Sequence, residues 1–104
     1  MRKYGFAVVL TKSAAEQLVE LFLYKVEHSS LDAALEARDA IEAAIEQIGF
    51  NPYLCPMAAD NPTERKLVIP FGRKTGYLAL FSIESDTLIY VTAIRHQLED
   101  DVLR

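Results

Sequence analysis

The sequence predicts an α+β domain of order β-α-α-β-β-β, a helical hairpin packed on one face of a twisted antiparallel sheet. Three observations carry this prediction. Residues 13 to 48 hold two segments whose apolar side chains recur at three- and four-residue spacing, the helical period. Residues 66 to 97 hold three runs rich in β-branched and aromatic residues, separated by polar turns. No further strands are available for a second sheet layer, so the helices must cover the one that forms.

Phe6-Ala7-Val8-Val9-Leu10 is short, apolar and partly β-branched, which fits a first strand. Ser13-Ala14-Ala15-Glu16 matches a capping box, placing the first helix from Ser13 to about Glu27. Leu18, Leu21, Phe22 and Lys25 fall on one stripe of it, and Val19, Leu23 and Val26 widen that stripe. A helix this apolar is expected to be covered on two sides. Ser29 or Ser30 caps a second helix, with Asp32 favoured in its first turn by the helix dipole. Ala34, Ile41, Ala44, Ile45 and Ile48 form its apolar stripe. Gly49 is expected in the left-handed C-terminal conformation, and Pro52 forbids continuation. The short link makes the two helices an antiparallel hairpin.

Residues 50 to 64 contain Pro52, Pro56, Pro62 and two Asn, and read as a loop. Lys66-Leu67-Val68-Ile69 is a short strand closed by Pro70, which cannot donate to a ladder. Two longer strands follow, Gly76 to Ile83 and Leu88 to Gln97, either side of Glu84-Ser85-Asp86-Thr87. Leu98 to Arg104 reads as a polar tail. The first strand must pair with one of the later three, and the pattern alone does not fix which.

The 104 residues suit a single domain, 1–104. Such a chain buries roughly 65% of its unfolded surface, enough for one core without disulfide or metal. Apolar residues make up 51% and charged residues 25%, a balance that excludes a disordered chain. The net charge of −4 argues against broad nucleic-acid binding, which needs many unopposed phosphate contacts, and no direct sequence-specific DNA binding is expected. Cys55 is the sole cysteine, so a reducing compartment is the default. The apolar run Phe6 to Leu10 is too short for a signal-peptide core or membrane span. The reading is a cytoplasmic protein that needs no membrane.

Arg65, Lys66, Arg73 and Lys74 fall within ten residues, and Arg95 and His96 end the last strand. Cations at a sheet rim suit a phosphate or an acidic partner. His96 supplies an imidazole suited to general acid–base work, and Tyr77 and Tyr90 supply phenols, the groups a metal-free ribonuclease would need. The plainer reading is that the tyrosines are amphipathic strand residues and the cations solvated. Neither histidine has a ligand-spaced partner, so no metal site and no cofactor is expected. There is no Gly-rich phosphate loop, and nothing supplies a base for Cys55.

The chain resembles the RelE/ParE family of toxins from bacterial type II toxin–antitoxin modules, also called plasmid stabilisation proteins. The resemblance lies in the opening strand with Ser13-Ala14-Ala15-Glu16-Gln17-Leu18 and the second helix with Ala33-Ala34 and Ile41 to Ile48. It continues through Gly49-Phe50-Asn51-Pro52, Arg65-Lys66-Leu67 and Tyr77 to Ile83. Above all it lies in Val91-Thr92-Ala93-Ile94-Arg95-His96-Gln97-Leu98-Glu99-Asp100-Asp101. It implies a cognate antitoxin encoded nearby that covers the working surface. It also implies one of two activities. RelE-like members cut messenger RNA on the ribosome without metal; ParE-like members inhibit DNA gyrase.

The sequence departs from the ribonuclease pattern. Where such enzymes often carry an arginine early in the penultimate strand, Tyr77 stands, and Glu99-Asp100-Asp101 makes the end acidic. The resemblance therefore favours the ParE-like side, a gyrase inhibitor and not an enzyme. Within it, Arg65, Tyr77, Arg95 and His96 are the expected contact residues for gyrase or antitoxin, and composition adds Phe22 and Val26 of the first helix with Lys66, Arg73 and Lys74 as an antitoxin docking surface. On the ribonuclease alternative, Arg65, Tyr77, Arg95 and His96 are the catalytic set. A non-toxic member that only binds an antitoxin is the third reading.

Overall fold

The chain leaves its first strand straight into a helix. In the computed structural model, which describes residues 5–59, 61–72 and 76–97, strand β1 (Ala7–Leu10) is followed at once by helix α1 (Lys12–His28). Thr11 is the N-cap, its hydroxyl accepting the Ala14 N–H at 3.2 Å. The expected cap, Ser13, lies inside the first turn. The reason is the strand: the Thr11 N–H still bonds Val91 O at 3.0 Å, so the turn into the helix begins there. Helix α2 (Leu31–Ile48) is capped by Ser30, whose hydroxyl accepts the Ala33 N–H at 3.0 Å.

Gly49 is right-handed, with φ −62°, and not left-handed as expected. The space around Gly49 is tight, though its backbone suits any residue. Phe6 N–H donates to Gly49 O at 2.7 Å, and a Cβ would stand 3.0 Å from Phe6 O and 3.2 Å from Val8 Cγ2. The end of α2 is thus tied to the start of β1.

A short 3₁₀ turn, Pro52–Leu54, leads into strands β2 (Met57–Ala58) and β3 (Asn61–Ile69). The region expected to be loop therefore holds a small edge strand, and β3 begins well before Lys66. Strands β4 (Tyr77–Ile83) and β5 (Leu88–His96) lie where the pattern put them. The described strands form one sheet in the order β1-β5-β4-β3-β2. Pairing is antiparallel throughout except that β1 lies parallel to β5, Ala7 opposite Leu88 through Leu10 opposite Val91. The sheet is mixed, where an antiparallel one was expected. The long β5 offers an edge on each side, and β1 takes the one that β4 leaves open.

One face of the sheet carries the core. Ala37, Ile41, Ile45 and Ile48 of α2 and Ala14 of α1 pack on Ile69, Tyr77, Ala79, Phe81, Ile89, Val91 and Ile94. Ile41, Phe81, Ile89 and Val91 are at most 1% exposed. Burying a side chain of this size contributes about 1.5–3 kcal/mol. Helix α1 is covered on one side only, contrary to expectation: Val19, Leu23 and Tyr24 remain 57%, 57% and 60% exposed.

Candidate functional site

Tyr77 opens β4 and His96 closes β5, directly opposite each other in the ladder. Their rings meet edge to face, with centroids 5.5 Å apart and planes at 80°. Gly76 and Gln97 lock this end of the sheet: Gln97 N–H donates to Gly76 O at 2.9 Å, and Gly76 N–H donates to Gln97 Oε1 at 3.1 Å. A Cβ on Gly76 would stand 1.9 Å from Ile69 O, so only glycine lets the three segments meet. On the far side of Tyr77 lies Phe71, centroids 5.9 Å apart, and Lys25 Nζ of α1 sits over Phe71 at 5.6 Å. Cation and rings attract through the ring quadrupole. Lys25, Phe71, Tyr77 and His96 thus form one row.

Tyr77 also floors a small cleft between the helices, lined by Leu18, Leu21, Phe22, Ala34, Ile41 and Arg38. Arg38 donates through Nη2 to Asp39 Oδ1 at 3.2 Å, while its Nε is buried with no hydrogen-bond partner. A desolvated donor without an acceptor costs free energy, and an incoming carbonyl or carboxylate would recover it. Phe22 and Val26 are half-buried along α1.

The sequence-predicted residues do not converge on one spot. Successive strand residues point to opposite faces. His96 opposes Tyr77 on the helix-covered face, whereas Arg95 opposes Leu78 on the open face, together with Lys66 opposite Leu80. Val68, Tyr90 and Val9 add apolar surface of 46%, 37% and 46% exposure to that open face.

Arg65 serves the neighbouring loop. Its Nη1 donates to Cys55 O at 2.6 Å, and its guanidinium lies 5.3 Å over the Tyr53 ring. It stands opposite Phe81, four residues along β3 from the Ile69–Tyr77 pair, about 13 Å at strand rise. Arg73, Lys74 and the acidic run Glu99-Asp100-Asp101 lie outside the described residues.

Burial raises the Tyr77 phenol above its ordinary value, so it keeps its proton. Burial likewise raises the Cys55 thiol, and the Arg65 charge only partly opposes this, so Cys55 is a poor nucleophile. Among the described residues, no group of three His, Cys, Asp or Glu side chains could hold a metal ion, and no helix is long and apolar enough to cross a membrane.

Sequence reasoning missed Lys25, Phe71 and Arg38 as members of this end. Lys25 on an apolar stripe was the available signal, since a cation there needs an aromatic or acidic neighbour. It also missed Gln17, whose Oε1 accepts the Ile94 N–H at 2.8 Å, and the Thr92 hydroxyl, which donates to Glu64 Oε2 at 2.6 Å. Nothing in local patterning links residues so distant in the chain.

Fold and side chains define a small α+β domain with two chemically distinct faces, one covered by a helical hairpin and one that no described helix covers, where Leu78 is nonetheless buried. Residues 8–101 match the family model of the ParE toxin of type II toxin–antitoxin systems, parDE. The chain belongs to the ParE toxin family. A solved structure of the chromosomal ParDE TA system from P. aeruginosa has a similar fold, with a TM-score of 0.75 and 17% identity, over 88% of this chain and 95% of that one. No curated protein sequence matches the chain.

Proposed function

We propose that this chain, acting as a single cytoplasmic toxin domain, binds and inhibits DNA gyrase and is silenced by a cognate antitoxin encoded nearby. The observation that carries the non-enzymatic reading is the separation of Arg95 from His96. Adjacent in sequence, they face opposite sides of the sheet, with Arg65 engaged at a third place. Metal-free RNA cleavage needs cations around one phosphate and a proton carrier beside it. These groups do not share a phosphate-sized space, and Tyr77, the phenol nearest His96, is held protonated. A binding protein has no such requirement.

The open face, with Lys66 and Arg95 amid Val68 and Tyr90, has the mixed apolar and cationic character of a recognition surface. The hairpin side suits the antitoxin. An amphipathic segment laid along α1 would cover Leu23, Phe22 and Val26 and place an acceptor at Arg38 Nε.

The test is a gyrase supercoiling and cleavage assay with purified chain, with and without antitoxin, run beside a ribosome-dependent mRNA cleavage assay. Accumulated cleaved DNA that the antitoxin suppresses is the expected result. Cut messenger RNA with gyrase untouched would overturn it.

A further inference from the structure

We infer that Gln17 is a positioning residue: its side-chain carbonyl pins the bulge in β5 and so decides which face receives Arg95 and which receives His96. The register between β4 and β5 slips by one residue. Leu80 pairs Ala93 but Phe81 pairs Val91, leaving Thr92 as the extra residue. Upstream of it, Ile89 and Val91 face the core; downstream, Ile94 does, and Ala93 does not join the core cluster. The bulge therefore inverts the alternation of the strand. Without it, Arg95 would point under the helices and His96 would point outward.

A bulge of this kind needs its loosened backbone groups satisfied. The β1 ladder stops at Leu10 opposite Val91, and Thr11 N–H makes the last contact, to Val91 O at 3.0 Å. From there the chain turns into α1, and β5 runs on without β1 beside it. Gln17 fills the place that the next residue of β1 would have occupied. Its Oε1 accepts the Ile94 N–H at 2.8 Å, two residues past the bulge. On the other side, the Thr92 hydroxyl reaches Glu64 Oε2 at 2.6 Å, with Leu80 O at 3.2 Å. The bulge is held from the helix layer and from β3 at once.

The inference rests on the proposed function only in treating Arg95 and His96 as contact groups; the geometry is independent of the target. The test compares Gln17→Leu, which removes the acceptor, with Gln17→Glu, which keeps one. Gln17→Asn, a methylene shorter, replaces the leucine variant if that fails to fold. In the isotopically labelled full chain, Gln17→Leu is expected to speed Ile94 amide exchange about tenfold or more. It should also weaken the Tyr77–His96 ring contact seen by nuclear Overhauser effect and lower gyrase inhibition. Gln17→Glu should restore all three. The inference is overturned if Gln17→Leu leaves Ile94 exchange and the Tyr77–His96 contact unchanged, or if leucine and glutamate lose them equally. Wild-type chain inert toward gyrase would sink the functional reading alone, with exchange and ring contact still deciding this one.

Discussion

Tyr77 and His96 face each other across the ends of β4 and β5, ring edge to ring face at 5.5 Å. The pair joins the last residue of the sheet to a phenol that is 4% exposed and floors the interhelical cleft. A change at either ring is therefore felt in both the core and the cleft.

Tyr77→Phe separates chemistry from packing. Phenylalanine keeps the ring and loses only the hydroxyl, so stability should change by less than about 1.5 kcal/mol. Tyr77→Ala should cost about 3–5 kcal/mol by urea unfolding. Growth arrest by a folded Tyr77→Phe chain should match wild type, because the buried ring packs and the hydroxyl has no role in chemistry on this reading. Loss of toxicity at unchanged stability would show the phenol doing chemistry.

The same residue sets an alkaline limit. Its folded value is raised, so the native state keeps the proton where the unfolded chain has lost it. By linkage, this contribution is complete below the ordinary phenol value near 10 and is lost as pH rises through the folded value. Stability should fall above about pH 10, and Tyr77→Phe should flatten the part of that fall due to this residue. Absorbance titration should show a late phenol step that the Tyr77→Phe chain lacks.

The elements were legible in the sequence because their signals are local. Ser30, Asp32 and the isoleucines of α2 announce a helix within its own span, and Pro70 marks the end of β3. What escaped depends on distant residues. The start of β3 is hidden by Pro62, Thr63 and Glu64, which read as loop until Cys55 O and Met57 are placed beside Arg65. The parallel seat of β1 is set by which edge of β5 is free. Arg95 and His96 looked like one site because they are neighbours in sequence, yet alternation sends neighbours in a strand to opposite faces.

Two glycines make a contrasting pair. A Cβ at Gly76 would overlap backbone, 1.9 Å from Ile69 O and 2.8 Å from Phe71 N. Gly76→Ala should cost about 3 kcal/mol or more and disorder the Tyr77 end. At Gly49 the nearest atom is 3.0 Å away and the backbone is right-handed, which alanine prefers. Gly49→Ala should stay within about 1 kcal/mol of wild type. Thermal unfolding of the two variants checks the order, and a reversal would mean that the close approach of Ile69 to Gly76 does not hold.

Arg65 should behave as a structural residue. Arg65→Ala removes a charged donor from Cys55 O and a cation from over Tyr53, and should cost about 1–2 kcal/mol. Amide exchange should quicken in the segment from Pro52 to Ala58, while antitoxin and target binding shift less than about threefold, well under the tenfold per 1.4 kcal/mol that a lost contact of this strength would bring. A large binding loss with unchanged exchange would return Arg65 to the contact surface.

The two faces can be uncoupled by substitution. Leu23 is exposed on α1, so Leu23→Asp should leave the fold intact. It should weaken the antitoxin about tenfold to a hundredfold, since a charge in an apolar seam costs as much as a lost anchor. Lys66→Ala with Arg95→Ala strips cations from the open face, and should lower gyrase inhibition about tenfold while leaving antitoxin affinity near wild type. Titration calorimetry with the antitoxin and a supercoiling assay read the two effects separately. If both sets of changes lowered both activities together, the faces would not be separate surfaces, and one partner would have to span the sheet edge to reach both.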